Sequence, residues 1–242
     1  MTDNKKILII IPSYNEEESI ANIIREIRSY HKDTDILIID DGSVDNTVKE
    51  AEKTGCIILR HAFNLGDGAA RHTGYLYANK KGYDFVVQID ADEQHNPSYI
   101  CKLLQPLFDN MSDIVIGSRF YEHTNYETTF SKKIGMFIFN TIASLVTRMK
   151  ITDSTSGFRA VNKKAINFFA GDIYPSNFPD ADLIILSHFA GFRIKEIPVE
   201  MRINQKKIPL HHGIQSVYYV FKMLLSISVT LLRERPKGGN NL

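Results

Sequence analysis

Three oxygen-bearing side chains fall at alternate positions in the segment FVVQIDADEQHNP (85–97): Asp90, Asp92 and Gln94. Glu93 adds another carboxylate, and the cluster of charge directly follows a run of β-forming residues. Carboxylates crowded this closely repel one another unless a positive charge sits among them. Alternate side chains of an extended or turning backbone face the same way. An all-oxygen set suits a hard cation, Mg²⁺ or Mn²⁺, whose shell is completed by water and substrate phosphates. The chemistry implied is a metal that offsets the acids and is itself offset by a diphosphate. The competing reading is a solvated turn ahead of a helix at Pro97, and an Asp-x-Asp pair alone does not choose between the two.

Four further clusters carry comparable alternatives. IIDDGSVDNT places Asp40 and Asp41 at the end of a buried strand. Carboxylates there accept hydrogen bonds from a base N–H or a ribose hydroxyl, or else form an Asx turn with Ser43 or Asp45 as helix cap. PSYNEEE sets Pro12, Tyr14 and Glu16 after the first apolar run. The tyrosine ring can stack on a nucleobase with Glu16 near the ribose, or the acids simply open a helix where its dipole favours them. NLGDGAARHTG carries Gly66 and Gly68 ahead of a helix. It follows the third strand rather than the first, and Arg71 stands where a dinucleotide fingerprint has its last glycine, which argues against NAD. The loop, with Asn64, Gly66 and Arg71, suits a phosphate at the helix N-terminus. Arg119, in GSR, ends the fifth strand and is either a phosphate clamp or a partner for the acids.

The elements that must position these groups alternate regularly through the first half of the chain. KILIII (6–11), DILIID (35–40), CIILR (56–60), DFVVQID (84–90) and DIVIGSR (113–119) read as strands. Segments 16–30, 43–55, 68–82 and 97–108 carry helical patterns between them. Such alternation predicts βαβ units and an α/β fold, its mostly parallel sheet covered by helices on both faces. Right-handed crossovers put every strand's carboxyl end on one edge, where open α/β sheets bind ligands. Beyond Tyr121 the pattern predicts a polar loop over 121–130, a long apolar helix over 131–150, and a strand near 155–161. Helices are expected at 163–171 and 180–191, a half-exposed strand at 192–203, a basic loop, and a final helix over 214–235.

Taken in order, PSYNE, DDGSVDNT, NLGDGAAR, DADEQHNP, GSRF and DSTSGFRA resemble the motif set of the inverting GT-A glycosyltransferases of family two. The similarity covers roughly residues 6 to 200 and is greatest toward the dolichyl- and polyprenyl-phosphate sugar transferases. The resemblance implies a GT-A-type nucleotide-binding sheet over 1–205, with 1–120 as the nucleotide and metal half and 121–205 as the acceptor half. It implies that Asp90, Asp92 and Gln94 surround Mg²⁺ or Mn²⁺. Pro12, Tyr14, Glu16, Asp40 and Asp41 would hold the nucleoside of a UDP- or GDP-linked sugar, with Asn64, Gly66, Arg71, Asp90 and Ala91 also on the nucleotide side. Arg119 and Arg159 would meet the acceptor phosphate or the donor diphosphate. Asp92 and Arg119 would be catalytic, Asp153 would be a carboxylate beside the acceptor, and Asp182, with Asp180, lies where hydroxyl-acceptor relatives carry their base.

The implied reaction is in-line attack on the anomeric carbon, with inversion. A sugar hydroxyl needs a carboxylate to take its proton. A phosphate monoester, with a second pKa of about 6, is already mostly dianionic at neutral pH. Three readings follow: transfer to undecaprenyl or dolichyl phosphate for cell-surface glycan assembly, transfer to a saccharide or protein hydroxyl, and a non-catalytic nucleotide-sugar-binding scaffold.

No segment reads as a membrane span. The longest apolar stretch, 216–232, contains Lys222 and falls short of the ~20 residues a bilayer needs. Lys222, Ser226, Thr230 and Arg233 form one narrow polar stripe on that helix. Segments 131–150 and 214–235 therefore read as amphipathic helices that either pack on the core or lie on anionic headgroups. The C-terminal unit, 206–242, is expected to dock on a membrane or on a small membrane protein. Balanced charge, 29 basic against 28 acidic residues, gives no push toward nucleic acid. Cys56 and Cys101 form no CxxC or disulfide framework, and the apolar run of the N-terminal segment ends at Pro12, unlike a signal peptide. The expected location is the cytoplasm, peripheral on the cytoplasmic face of the membrane.

Overall fold

The computed structural model describes residues 5–121, 130–175, 179–202 and 214–233. The strands are β1 (Ile7–Ser13), β2 (Asp35–Asp40), β3 (Ile57–Arg60), β4 (Phe85–Gln88), β5 (Ile114–Ser118), β6 (Arg159–Asn162) and β7 (Ile194–Pro198). The helices are α1 (Ile20–Tyr30), α2 (Thr47–Glu52), α3 (Asp67–Lys81), α4 (Ile100–Phe108), α5 (Phe130–Thr147), α6 (Lys163–Phe169), α7 (Ala181–Phe189) and α8 (Ile214–Leu232). The strands form one sheet in the order β3-β2-β1-β4-β6-β5-β7. All neighbours are parallel except β6, which runs antiparallel to both β4 and β5.

The β-branched runs make a sheet buried on both faces, because successive side chains alternate between them. Ile9, Ile11, Ile36, Ile38, Val87 and Val115 face one layer, covered by Ile20, Ile23, Ile24 and Ile27 of α1 and by Leu103 and Leu107 of α4. Leu8, Ile10, Leu37, Ile39, Val86 and Ile116 face the other, covered by residues of α3, α5, α6, α7 and α8. The expected fold class is present, helices on both faces included.

Two helices are shorter than their patterns imply. The 16–30 helix begins only at Ile20, and the 43–55 helix is confined to α2. Short polar side chains compete for the backbone there: Asp45 accepts from Thr47 N (2.9 Å) and Thr47 Oγ1 (2.5 Å), and Ser43 Oγ accepts from Asn15 N (2.9 Å). The expected polar loop over 121–130 and the basic loop that includes Lys206 and Lys207 lie largely outside the described residues, as do Arg235 and Lys237.

Helix α8 is oriented by its polar stripe in an unexpected sense. Lys222, Ser226, Thr230 and Arg233 line a cavity of about 400 Å³ against Leu186 of α7 and the segment 172–175. Met223 and Ile227 are buried, while Phe221, Leu225, Val229 and Leu232 are exposed. Ser226 of the stripe thus meets Asp182 of the fold, Arg233 stays exposed, and Leu225 and Val229 border the cavity while keeping about half of their surface exposed. No helix among the described residues is long and apolar enough to cross a membrane.

Candidate active site

The parallel strands deliver their carboxyl ends to one edge, and antiparallel β6 begins there. Arg159 pairs with Gln88 of β4 and Ile116 of β5, so the segment 153–158 arrives beside the acidic turn. Topology therefore adds the DSTSGFR segment to the strand-end clusters.

On the nucleoside side, loops after β1, β2 and β3 are stitched together. Asp41 is buried and accepts from Leu65 N (2.9 Å), Gly66 N (2.8 Å) and the His61 ring (2.7 Å), whose other nitrogen meets Thr73 Oγ1 at 2.9 Å. Asp40 is buried on Ser43 N and on Arg60 Nε at 3.1 Å. Both acids thus take protein donors, with Asp40 on Ser43 N as the local-turn alternative expects. Glu16 likewise turns back to accept from Ser19 Oγ at 2.5 Å. Pro12 lies in β1 opposite Ile39, Tyr14 is exposed at the rim, and Asn64 is exposed on the Asp41-tethered loop. Gly42 has φ +75°, and a Cβ there would lie 2.7 Å from the Phe63 carbonyl carbon, so the two loops can meet only at a glycine. Gly66, with φ +97°, opens α3.

The acidic turn packs against a histidine that the reading of the sequence passed over. His95 is buried, stacks on Phe158 (5.0 Å between centroids), and accepts from Asp90 N through Nδ1 at 3.1 Å. Burial lowers its pKa against the pull of Asp90 and Asp92, so the neutral ring is favoured. Ala91 is buried beneath the turn. Burial, then the charge of Asp90, raises the Asp92 pKa, as expected of a carboxylate lacking a counter-charge. Gln94 donates from both its backbone N (3.1 Å) and its side-chain amide to Asp92. Its amide nitrogen, not its oxygen, therefore faces the acids, and metal ligation by Gln94 requires the amide to turn over.

Arg71, on α3, is buried beside this turn. Its Nε donates to Asp67, its Nη2 lies 3.6 Å from Asp90 Oδ1, and its Nη1 is buried with no hydrogen-bond partner. Asp67 stands in the NLGDG motif without an assigned role. Loss of water raises its pKa to about 6, with Asp90 reinforcing and Arg71 opposing. Gly157 completes the group: a Cβ at this position would lie 2.4 and 2.7 Å from the Asp90 oxygens. Only a glycine leaves that carboxylate its place.

The acceptor-side candidates divide. Asp153 is fully buried and grips Arg119, with Oδ2 accepting from Arg119 N (2.9 Å) and Nε (2.6 Å) and Oδ1 from Nη2 (2.6 Å). Thr155 Oγ1 accepts from Nη2 as well, at 2.7 Å. Asp153 thus orients Arg119. Arg159 is engaged by the backbone. It is buried, and Nε, Nη1 and Nη2 donate to the carbonyls of Ser156 (2.8 Å), Pro179 (2.9 Å) and Ser154 (3.0 Å), so it organises the backbone there. Asp182 is also fully buried. It accepts from Asp180 N (3.1 Å), Leu183 N (2.8 Å) and Ser226 Oγ, tying the start of α7 to α8. Burial raises its pKa to about 6, with the charge of Asp180 adding to the effect. Asp182, one of the two candidates for a hydroxyl-acceptor base, thus ties two helices together.

A mostly parallel sheet with one antiparallel insertion, and acids, arginines and a glycine-rich loop gathered at its carboxyl edge, has the architecture of a GT-A glycosyltransferase. The chain belongs to glycosyl transferase family 2, whose family model matches residues 8–169. It is 29% identical over 245 residues to the UDP-N-acetylglucosamine–dolichyl-phosphate N-acetylglucosaminyltransferase of Methanococcus voltae, covering 93% of this chain and 97% of that one. It is 30% identical to the undecaprenyl-phosphate mannosyltransferase of Micrococcus luteus, covering 84% of this chain and 87% of that one. Its fold matches Mycobacterium tuberculosis glucosyl-3-phosphoglycerate synthase, solved with Mn²⁺, UDP-glucose and phosphoglyceric acid. That match has a TM-score of 0.73 at 18% identity and covers all (100%) of this chain and 84% of that one.

Proposed function

We propose that this glycosyltransferase moves a sugar, with inversion, from a UDP- or GDP-linked donor to a polyprenyl phosphate, with Mg²⁺ or Mn²⁺ as cofactor. The observation that carries the reading is the engagement of two of the candidate carboxylates: Asp153 is paired with Arg119, and Asp182 with Ser226 and the start of α7. An acceptor that arrives ionised needs neither. The names of the two lipid-phosphate transferases to which the chain is similar support the same acceptor class.

The residues present fit the metal. Among the described residues no three His, Cys, Asp or Glu side chains cluster as a closed site. Asp90 and Asp92 instead offer the one or two carboxylates that Mg²⁺ typically takes alongside substrate phosphates. Gly157 keeps Asp90 in place, and the raised pKa of Asp92 marks a carboxylate that a nearby cation would stabilise. When bound, the ion would supply Lewis-acid stabilisation of the departing diphosphate. Arg71 brings its unpartnered buried Nη1 to the same negative charge, and Asp67 holds its Nε. Arg119, oriented by Asp153, presents positive charge to the acceptor phosphate without reorganising. Residues 1–120 would hold the nucleotide and 121–205 the acceptor. The exposed apolar faces of α5 and α8 would rest on the cytoplasmic face of a membrane, α8 with a small membrane protein as a further partner.

The test is transfer from radiolabelled nucleotide sugars, with Mn²⁺ or Mg²⁺, to polyprenyl phosphate and, separately, to glycan acceptors. Organic-extractable product that disappears with EDTA is expected. Product formed only on a glycan, or undiminished by EDTA, overturns the reading.

A further inference from the structure

We propose that Asn140 of α5 is a positioning residue for Arg119, acting through the segment 151–154, so that α5 governs acceptor turnover and leaves nucleotide binding alone. The inference rests on the reading of Arg119 as the clamp on the acceptor phosphate.

The segment is held from two sides. From α5, Asn140 Nδ2 donates to Thr152 O (2.6 Å), while Oδ1 accepts from Ser154 N (2.8 Å) and Ser154 Oγ (2.7 Å). One turn further along, Ser144 Oγ accepts from Ile151 N at 3.0 Å. From β7, the buried Glu196 accepts from Thr152 N (2.9 Å), Thr152 Oγ1 (2.8 Å) and Asp153 N (2.9 Å). Between these anchors Asp153 has its carboxylate turned to Arg119. The backbone on both sides of Asp153 is thereby set by Asn140, and the carboxylate has no solvent in which to readjust.

The residue type matters. At one spot a donor must meet Thr152 O and an acceptor must meet Ser154 N–H, and a primary amide supplies both at this reach. A carboxylate of the same shape keeps the acceptor and sets an oxygen against Thr152 O. Alanine leaves both groups of a part-buried segment without their partner. The position on α5 is equally informative. Asn140 faces the segment, whereas Phe137 and Leu145 of the same helix are 71% and 74% exposed. Whatever contacts that outer face bears on the helix that holds the arginine's carboxylate.

The experiment uses the full chain, with Asn140→Ala, Asn140→Asp and, as a milder second variant, Ser144→Ala. Three quantities are read: Kd for UDP with Mn²⁺, KM for donor and for polyprenyl phosphate, and the Arg119 side-chain Nε–H resonance in ¹⁵N-labelled protein, assigned with Arg119→Lys. For Asn140→Ala the expectation is an unchanged Kd and donor KM within about twofold, acceptor kcat/KM reduced at least tenfold, and a shifted or broadened Nε–H resonance. Asn140→Asp should fall in between, and Ser144→Ala should show the same pattern at smaller amplitude. An unchanged resonance together with unchanged acceptor kinetics overturns the proposal, and so does a parallel loss of UDP affinity, which marks general unfolding. If Asn140→Ala does not fold, the Ser144→Ala resonance decides. Wild-type protein that makes no lipid-linked product sinks the acceptor reading, and the resonance then still tests the link from Asn140 to Arg119.

Discussion

Gly157→Ala isolates the acidic turn from the rest of the fold. The added Cβ would lie 2.4 Å from Asp90 Oδ2, and comfortable contact begins near 3.4 Å, so the carboxylate must withdraw by about 1 Å. The glycine's own φ is not in the left-handed region, so alanine adds no backbone strain there. Asp90 keeps a third of its side-chain surface exposed (32%) and can swing toward solvent. The stability cost should therefore stay at the low end of overpacking, about 1 kcal/mol. For a chain of this size that is a fall in Tm of about 2–4 °C. The catalytic cost is larger, because a misplacement of about 1 Å at a reacting centre costs on the order of 10²-fold in rate. The assay pairs thermal melts with turnover and with Mn²⁺ calorimetry in the presence of UDP. Wild-type turnover and Mn²⁺ affinity in Gly157→Ala would refute the placement of Asp90 at the metal. A collapse of Tm by tens of degrees would refute the claim that the glycine serves the site and not the core.

Two further changes probe the buried charges. The Asp182 carboxyl, moved from 3.8 to about 6, is favoured by folding while protonated. That stabilisation is complete below 3.8, is lost as pH rises through about 6, and amounts to about 3 kcal/mol across the window. Asp182→Asn, which keeps an oxygen for the backbone donors, should flatten the decline of Tm between pH 4 and 7, and an unaltered pH profile counts against the assignment. Arg159→Met removes the donors to three carbonyls and should cost about 3–5 kcal/mol, by analogy with breaking a buried charged network. Denaturant unfolding measures it, and a loss below about 1 kcal/mol would mean that water or another group takes over these carbonyls.

The layered sheet was legible because apolar period and strand length are local properties, visible in runs such as KILIII and DILIID. The antiparallel course of β6 was not. Its four residues, RAVN, pair at either polarity, and direction was decided by the gap between β4 and β5 into which the chain returns. Helix α8 shows the same limit. Its polar stripe was visible, but the side on which it lies depended on Asp182 being present to receive Ser226. Arg159 reads as a phosphate ligand because arginine near a glycine-rich turn often is one, and only the tertiary fold brings the carbonyls of Ser154, Ser156 and Pro179 to its three nitrogens. His95 and Gly157 stood inside recognised motifs without a role, since one acts by stacking beneath the turn and the other by lacking a side chain.

By itself the sequence determined the fold class, the edge on which the polar clusters meet, and the family to which the chain belongs. These follow from burial period, crossover handedness and motif order, all of which are written along the chain. Only the tertiary structure decided which charged groups are engaged and which face the crevice. Whether Asp153, Asp182 or Arg71 has its partners depends on neighbours remote in sequence, and the strength of a charge in a protein is set by what surrounds it in space.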